Sequence, residues 1–368
     1  ATTEIYTLSL HDALPILAMN ESMVYAAIAA MDAWKDAGLP IASIDGEPDW
    51  DAGAVIGTGA TGMDTIASVI PRVDAGKVRR LGSTIVEQTM ASATSAKLSG
   101  LLALGNQVTT NSSACTTGTE AIIMACERIE AGLAERMVAG GADGASLYSW
   151  AGFDSMRVLN STRNEEPEKA SRPMTASAAG FIPGSGAGFL LVESLESAEK
   201  RGARIYAEIL GGALNCGGHR QGGSMTAPNP VGVQRCVQKA LARAGLEPGA
   251  ITAINGHLTA TFADPVEINN WSRALGRGPD TFPFVNSTKS MIGHGLGAAG
   301  GLECVAAVLE VYKGFLHPSI NCEDLHPEIL PFARSIVRET MELEVDILAK
   351  SSFGFGDVNG CLIFKRWR

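Results

Sequence analysis

Apolar residues recur along the chain with two spacings, one typical of helices and one of short buried strands. Met23, Ala26, Ala30 and Trp34 recur at steps of three and four within residues 17–38, which predicts a helix that stops at a glycine. The apolar run 53–57 predicts a buried strand. The same signals predict strands at 136–143, 189–193, 204–210, 251–256, 284–287, 347–352 and 359–364. They predict helices at 83–104, 195–202 and 231–245, and a last helix that follows the glycine-rich stretch ending at 300 and continues to about 312. This alternation predicts an α/β protein.

Two stretches of the chain resemble each other. Residues 108–113 and 284–289 each run from a strand through Asn-Ser into a turn and a helix of small residues, with Asn111 and Asn286 at matching positions. This match predicts a duplicated β/α unit whose two halves pack together, with a boundary near residue 200. We therefore expect halves over 17–200 and 201–368. Residues 1–16 follow no clear period and stay unassigned, as a truncated or foreign leader.

Composition narrows the class of protein. Hydrophobic residues make up 46% and charged residues 18% of the 368, which predicts a large folded interior. The net charge of −10 argues against nucleic acid as a main partner. No apolar run has the length of a membrane span, and no basic segment precedes an apolar one as in a secretory signal. The seven cysteines form no Cys-x-x-Cys pair, so we expect reduced thiols in the cytoplasm and neither disulfides nor a zinc site.

Residues 57–62 match the dinucleotide-binding pattern G-x-G-x-x-G after a strand. That pattern also needs a second strand that ends in an acidic residue about 20 positions later. Here a proline and the basic run 72–80 follow instead. A nucleotide-dependent oxidoreductase is therefore a remote alternative, and a glycine-rich turn near an interface or active site is the better interpretation.

Cys115 lies where a predicted strand gives way to a predicted helix, with Ser112 or Ser113 as a candidate cap. The free N–H groups and the dipole of a helix N-terminus favour thiolate by up to about 2 kcal/mol, which can lower a thiol pKa from about 8.5 to about 7. A nucleophile here therefore needs a base or a positive group nearby. The alternative is a small buried cysteine without chemistry.

Four predicted strand ends carry reactive or hydrogen-bonding groups: Cys115, His257, Lys289 with His294, and the turn 353–356. Because α/β folds place their sites at the ends of parallel strands, we expect these groups to meet. A cysteine with a histidine suits acyl transfer, since thiolate attacks thioesters. Two neutral histidines can stabilise an enolate or oxyanion, and each such donor is worth about 10²–10³ in rate.

At these residues the sequence resembles the β-ketoacyl-acyl carrier protein synthases, the elongating condensing enzymes of fatty acid synthesis, over about residues 17–368. The matching motifs are Ser113-Ala114-Cys115, residues 255–261, residues 289–300, and Phe353-Gly354-Phe355-Gly356. The resemblance implies a thiolase fold, in which two duplicated β/α halves form a layered α-β-α-β-α core.

The resemblance also implies a role for each residue. Cys115 would carry the acyl chain as a thioester, and His257 and His294 would assist decarboxylation of malonyl-acyl carrier protein. Lys289 would organise the site with Glu267 as its acidic partner. The remaining roles are an oxyanion hole from the N–H groups of Cys115 and Phe355, contacts to the phosphopantetheine arm from Thr259 and Thr261, and gating by Phe353 and Phe355. No metal, flavin or nucleotide cofactor is implied.

The chain departs from the family pattern at four places, one of which is the turn after Thr261, which is one residue shorter than in the family. Leu258 stands where glycine is usual, and Asp357-Val358 replaces Gly-Thr. The family's first strand, which we expect inside the sheet, has no counterpart in residues 1–16, so a central slot would be empty. These departures keep open a ketosynthase or a non-catalytic chain-length partner of a polyketide or polyene pathway. Such partners lack the cysteine that this chain keeps.

The resemblance implies a homodimer that works with acyl carrier protein. Carrier proteins are acidic, so an enzyme that is itself acidic needs a local basic patch. Arg72, Lys77, Arg79 and Arg80 are the candidate patch, and the alternative is a solvated loop.

Overall fold

The computed structural model describes residues 18–368, so the predicted leader at 1–16 lies outside the described residues. The first of two mixed sheets contains β1 (Ala52–Gly57), β2 (Val108–Asn111), β3 (Arg136–Asp143) and β4 (Gly186–Glu193), in the spatial order β2-β1-β3-β4. β1 to β3 are parallel and β4 is antiparallel to β3. Three parallel strands therefore end at the same edge of this sheet.

The second sheet repeats this order. It contains β5 (Ala207–Cys216), β6 (Ala253–Asn255), β7 (Phe284–Asn286), β10 (Ile347–Gly354) and β11 (Val358–Arg366), in the order β7-β6-β10-β11-β5. A separate small hairpin pairs β8 (Phe315–Leu316) with β9 (Met341–Glu342). β7, β6 and β10 are parallel, and β11 is antiparallel to its neighbours. β2 and β7, which hold Asn111 and Asn286, take the same position in the two sheets, as the duplication predicts.

Eleven helices are described within residues 18–368, and none of these is both long enough and apolar enough to cross a membrane. In chain order they are α1 (Glu21–Asp36), α2 (Met63–Asp74), α3 (Ile85–Thr89), α4 (Ala93–Leu102), α5 (Thr117–Glu130), α6 (Leu147–Ser155), α7 (Leu195–Lys200), α8 (Pro230–Arg243), α9 (Ala263–Leu275), α10 (Lys289–Ile292) and α11 (Ala299–Lys313).

The helices and sheets form five layers. α5 and α11 pack against each other and against both sheets, while α1 and α4 cover the outer face of the first sheet and α8 and α9 that of the second. The two central helices touch backbone to backbone: a Cβ on Gly118 would lie 2.4 Å from the nitrogen of Gly301, and one on Gly300 2.4 Å from the nitrogen of Thr119. Glycine at these positions lets the two halves meet closely enough to place residues from both sheets in one site.

Several element predictions are wrong in detail. The predicted helix 83–104 is two helices, α3 and α4, because Met90 has an extended backbone (ψ 140°). The predicted strand 204–210 lies further along, at β5. Neither Ser112 nor Ser113 caps α5: the helix begins after Thr116, without a side-chain cap, and the Ser113 hydroxyl donates to Glu120 instead.

The expectation of an empty slot inside the first sheet is also wrong. β1 and β3 are each paired on both sides, so no gap lies between the described strands. In the second sheet, β5 pairs with the outer side of β11. The matching position in the first sheet is the outer edge of β4, and no described strand occupies it. Among residues 18–368, β4 pairs on one side only, with β3.

Candidate active site

The carboxyl ends of β2, β6, β7 and β10 meet at one cleft of about 310 Å³. Cys115 follows β2, His257 follows β6, and Lys289 and His294 follow β7. Phe355 follows β10 directly. The structure thus brings together the four strand ends that the sequence predicts to meet, with Cys115 from the first half and the other groups from the second.

Cys115 sits in a tight turn that precedes α5. Ala114 adopts the left-handed region (φ 50°), and the turn closes through the Ser113 N–H to Thr117 Oγ1 (2.8 Å) and the Thr117 hydroxyl to the Ala114 carbonyl (2.6 Å). The backbone of Gly354 lies against this turn: an added Cβ would stand 2.8 Å from the Ser113 oxygen and 3.2 Å from the Cys115 nitrogen. Glycine at 354 therefore lets β10 approach closely enough for the Phe355 N–H to reach the Cys115 sulfur.

Burial controls the protonation of Cys115. Desolvation raises the pKa of the thiol to about 11, against the opposing effects of the Lys289 charge and the Phe355 N–H. The cost of desolvating a thiolate here exceeds the gain that a helix terminus can give. The group is therefore a thiol at neutral pH.

His294 is held as a donor toward this sulfur. Its Nε2 lies 3.1 Å from Cys115 Sγ, and the backbone N–H of Leu296 donates to its Nδ1 at 3.1 Å. Because Nδ1 accepts a hydrogen bond, the ring proton of the neutral imidazole sits on Nε2. Burial, followed by the charges of Lys289 and Lys350, keeps the pKa of His294 well below its usual value, so the ring is neutral.

His257 is fixed in the same way. Lys289 Nζ lies 3.2 Å from its Nδ1 and donates to it, which leaves the ring proton on Nε2. Burial lowers the pKa of His257 well below its usual value, with further contributions from Lys289, His294 and Lys350. The two imidazole centroids are 5.3 Å apart. Two neutral N–H donors therefore flank one thiol.

The sulfur of Cys115 and one ring nitrogen of each histidine lie within 4.8 Å of one another, close enough to share a metal ion. Ligation through Nε2 would need the ring proton on Nδ1. Lys289 and the Leu296 N–H already donate to those Nδ1 atoms. The hydrogen bonds around the site therefore favour N–H donation to an anion over metal binding.

The prediction that Glu267 is the acidic partner of Lys289 is wrong. Lys289 pairs with Glu303, whose other carboxylate oxygen lies 2.8 Å from Lys350 Nζ. Glu267 instead accepts the backbone N–H groups of His257 (2.7 Å) and Leu258 (2.8 Å). It holds the His257 backbone and does not neutralise the lysine.

Glu303 and Lys350 are buried site residues that the sequence reasoning missed. The available signal was a charge inside an apolar element: Glu303 lies in a helix of small residues and Lys350 in a predicted buried strand.

The predicted arm-binding and gating residues also line the cleft. The hydroxyl oxygens of Thr259 and Thr261 lie 3.0 Å apart, and the buried Asp264 carboxylate accepts the Thr259 N–H at 2.8 Å. The ring centroid of Phe353 is 6.2 Å from that of His257, and that of Phe355 is 6.2 Å from that of Phe153. The Phe353 ring therefore lies beside His257, and the Phe355 ring lies beside Phe153 in the cleft lining.

The glycine-rich turn 57–62 has a structural role beside the site. The Asp143 carboxylate accepts the Thr58 hydroxyl (3.0 Å) and the N–H groups of Gly59 (2.9 Å), Ala60 (3.2 Å) and Gly297 (2.6 Å). The N–H groups of this turn that a pyrophosphate would need are thus occupied by a carboxylate of the same chain. Through Asp143 the turn holds the segment that carries His294. Because its N–H groups are already hydrogen-bonded, the structure argues against the nucleotide alternative.

Comparison with known proteins agrees with this geometry. The family model of the β-ketoacyl synthase N-terminal domain matches residues 12–198, and that of the C-terminal domain matches residues 206–323. The chain belongs to the β-ketoacyl synthase family. This confirms the resemblance on which the sequence interpretation rests.

Relatives of this β-ketoacyl synthase match over nearly the whole chain. The chloroplastic 3-oxoacyl-[acyl-carrier-protein] synthase I of Arabidopsis thaliana is 36% identical over 354 residues, which cover 95% of this chain and 73% of that protein. A β-ketoacyl synthase from Burkholderia phymatum STM815 superposes with a TM-score of 0.90 at 30% identity, over 100% of this chain and 87% of that one. These matches confirm the predicted α/β class.

A third relative has a different setting. It is a ketosynthase bound to the hexaketide and in complex with its type II PKS acyl-carrier protein, with a TM-score of 0.86 at 27% identity over 95% of this chain and 85% of that one.

Two departures of this β-ketoacyl synthase from its family's pattern lie close in sequence to groups of the site: Leu258 follows His257, and Asp357 lies two residues after Phe355. Leu258 is buried with a left-handed backbone (φ 23°). Its N–H donates to Glu267, and its carbonyl accepts the Ser287 hydroxyl (2.9 Å). Asp357 also has a left-handed backbone (φ 63°), and its carboxylate accepts the N–H groups of His219 (3.1 Å) and Asn229 (2.7 Å). Hydrogen bonds thus hold side chains at positions where a glycine would adopt this backbone freely.

Proposed function

We propose that the chain is a 3-oxoacyl-[acyl-carrier-protein] synthase, which joins an acyl chain held on Cys115 to the two carbons that malonyl-acyl carrier protein keeps after losing CO2. The observation that carries this proposal is the thiol of Cys115 set between two neutral Nε2–H donors and the Phe355 N–H. The names of the relatives, 3-oxoacyl-[acyl-carrier-protein] synthases, support the same reaction.

The first half-reaction loads the acyl chain. Cys115 loses its proton and its sulfur attacks the thioester carbonyl of acyl carrier protein, so that a new carbon–sulfur bond forms. The tetrahedral oxyanion would be bound by the N–H groups of Cys115 and Phe355. The bond to the phosphopantetheine sulfur then breaks, and that sulfur takes up a proton and leaves as a thiol. The acyl chain remains on Cys115.

The second half-reaction forms the carbon–carbon bond. Malonyl thioester loses CO2, and the electron pair of the broken bond becomes an enolate whose oxygen accepts from His257 and His294. The enolate carbon attacks the acyl thioester, and the Cys115 sulfur leaves and is protonated again. Both histidines need only donate N–H bonds in this step, which is the state in which the structure holds them. The sequence of steps is ping-pong and uses no metal, flavin or nucleotide.

The proposal gives supporting roles to the residues around His257 and His294. Lys289 orients His257, Thr259 and Thr261 hold the phosphopantetheine arm, and Phe353 and Phe355 gate the acyl chain. Glu267 holds the backbone of His257 and Leu258.

Acyl carrier protein is the proposed partner. The solved ketosynthase complex with its carrier protein supports this, and so does a basic cluster on an acidic chain. The cluster combines Arg72 at the end of α2 with the exposed residues Lys77, Arg79 and Arg80. Such a cluster would steer an acidic carrier protein toward the enzyme.

We place the enzyme in the cytoplasm as a homodimer. The edge of β2 supports the dimer, because β2 pairs on one side only among the described strands and a second copy could extend the sheet there.

A ketosynthase of a polyketide pathway is the second candidate function, favoured by the likeness to the polyketide enzyme and by Leu258 and Asp357 beside the site. It uses the same two half-reactions, so the preferred acyl chain separates the two.

Intact mass after mixing with acyl-acyl carrier protein tests the proposal. The parent protein should gain the mass of one acyl group, and Cys115→Ala should gain none. A folded parent protein that gains no mass would count against catalysis and favour the non-catalytic chain-length partner.

A further inference from the structure

Lys350 is a cation enclosed by protein on all sides. It lies in the middle of β10 with 0% of its surface exposed. Its Nζ lies 2.8 Å from Glu303 Oε2, and it donates to the Ser351 carbonyl and to Ser352 Oγ (3.2 Å). Removing an ammonium from water costs several kcal/mol even after relaxation. Leucine or valine would fill a buried strand position without that cost.

The charges around Glu303 do not balance. One carboxylate oxygen pairs with Lys289 and the other with Lys350, so two ammonium groups share one carboxylate. Lys289 alone would form a neutral pair with Glu303. When both lysines are protonated, the trio of Lys289, Glu303 and Lys350 carries one net positive charge, and Lys289 touches the Nδ1 of His257. The excess charge therefore lies directly behind the ring.

We propose that Lys350 is a positioning residue of the condensing site, which shares Glu303 with Lys289 and so leaves one net positive charge behind His257 and His294 that holds both rings neutral. This inference rests on the proposed function. A neutral ring keeps the hydrogen-bond pattern in which Nδ1 accepts and Nε2–H points into the cleft. Protonation of Nδ1 would break the contact with Lys289 or with the Leu296 N–H.

The surroundings of the two rings support a distinct effect of Lys350. The pKa of each histidine is lowered first by burial and then by nearby cations, among them Lys350. The charged or titratable groups around the rings are the two histidines themselves, Lys289 and Lys350, Cys115 beside His294, and Glu267 on the His257 backbone. Glu303 pairs with both lysines, and Asp143 and Glu303 act on the Cys115 thiol. Within this set, loss of Lys350 turns the trio into a neutral pair and leaves the direct contacts of both rings in place.

Histidine titration by NMR tests the proposal without any substrate. The protein is labelled at the Cε1 carbon of histidine, and His257→Asn and His294→Asn assign the two signals. Lys350→Gln removes the charge and keeps a side-chain N–H donor, Lys350→Arg keeps the charge, and Lys365→Gln, which removes an exposed lysine on neighbouring β11, is the matched control. Lys350→Met is a second neutral variant, since either folded neutral variant gives the answer.

We expect the titration midpoints of both rings to be the same in the parent, Lys350→Arg and Lys365→Gln proteins. In the neutral variants the midpoint of at least one ring should rise by about one unit, which is a tenfold change in proton affinity. The acidic limb of the pH profile of malonyl-thioester decarboxylation should move upward by the same amount. Unchanged titration in a folded neutral variant would overturn the role of Lys350. Failure of the parent protein to acylate Cys115 would instead overturn the proposed function and leave the titration result intact.

Discussion

At the residue scale, the state of each group follows from what surrounds it. Cys115 is flanked by His294, the Phe355 N–H and, further off, Lys289, yet burial raises its thiol pKa to about 11. The donors at this sulfur therefore do not create a resting thiolate, and in the proposed reaction they would act on the charge that develops.

This gives a prediction for the pH dependence of Cys115 alkylation. Well below the pKa, each pH unit raises the thiolate fraction about tenfold, so alkylation by iodoacetamide should accelerate about tenfold per unit from pH 6 to 9. Peptide mass spectrometry of the Cys115 peptide measures the rate. A plateau near pH 7 would mean that the helix start governs the thiol after all.

A second residue-scale prediction concerns Glu310, a buried carboxyl away from the cleft. It accepts from Asn286 Nδ2 (2.6 Å) and from the His317 N–H (2.9 Å), while burial raises its pKa from 4.5 to about 7. Because the folded-state pKa lies above the unfolded one, its contribution to stability is complete below pH 4.5 and is lost as pH rises through 7. The loss is about 3 kcal/mol.

Glu310→Gln removes this titration. The variant should lose less free energy of unfolding than the parent between pH 5 and 8, by up to about 3 kcal/mol, as measured by urea denaturation at both pH values. Glu247→Gln, at an exposed position, is the control and should follow the parent. If the parent and Glu310→Gln lose equal free energy of unfolding between pH 5 and pH 8, ionisation of this carboxyl does not destabilise the folded protein, which contradicts the prediction.

The sequence could identify the reactive residues but not their partners. Cys115, His257 and Lys289 each follow an apolar strand closely, so the pattern that marks the strand also marks the site. The partner of Lys289 depends instead on how α11 packs against β10, which places Glu303 between two lysines. No local pattern distinguishes that carboxylate from Glu267.

At the scale of elements, the contact of β10 with the Cys115 turn positions the Phe355 N–H, the proposed oxyanion donor. Gly354→Ala would put a Cβ 2.8 Å from the Ser113 oxygen and 2.9 Å from Thr116 Oγ1, so the strand end must shift. The Phe355 N–H would then no longer point at the position of the proposed oxyanion. Loss of one such donor lowers the rate by about 10²–10³. We expect acyl transfer to Cys115 to fall by about that factor while the protein stays folded.

Gly278→Ala is the matched control, because its added Cβ would meet no atom within 4 Å. Stopped-flow or quenched-flow measurement of acyl transfer gives the rate, and thermal unfolding checks the fold. Unchanged acyl transfer in folded Gly354→Ala would contradict a role for the Phe355 N–H.

The sequence predicts most strands and the central helices well, because their apolar runs are long and bounded by glycine. It fails where tertiary packing decides. The predicted helix 83–104 breaks at Met90, and the sequence pattern predicts no helix where α2, α6 and α9 stand. The start of α5 is set by the strained turn at Ala114 and not by a serine cap.

At the scale of the whole molecule, the duplication explains why one site needs both halves. The two sheets share a strand order, and the glycine contacts between α5 and α11 bring the end of β2 to the ends of β6, β7 and β10. The Asn-Ser match at 111 and 286 was enough to predict the repeat. It could not show that the first-strand position lies at a sheet edge, since strand order is a property of the assembled sheet.

The edge of β2, which no strand within residues 18–368 pairs, leads to a prediction about assembly. Light scattering after size-exclusion chromatography should give a mass of two 38.3-kDa chains across the micromolar range. A monomer throughout that range, in a protein that still acylates Cys115, would contradict the proposed dimer.

The most direct test of the proposed reaction is the product of the complete condensation. The protein is incubated with acyl-acyl carrier protein and malonyl-acyl carrier protein carrying a ¹³C-labelled free carboxyl group, and products are identified by mass spectrometry. We predict 3-oxoacyl-acyl carrier protein without the label, an equal amount of labelled CO2, and loss of the 3-oxo product in Cys115→Ala. An acyl-Cys115 enzyme that releases no 3-oxoacyl product with malonyl-acyl carrier protein would contradict the account.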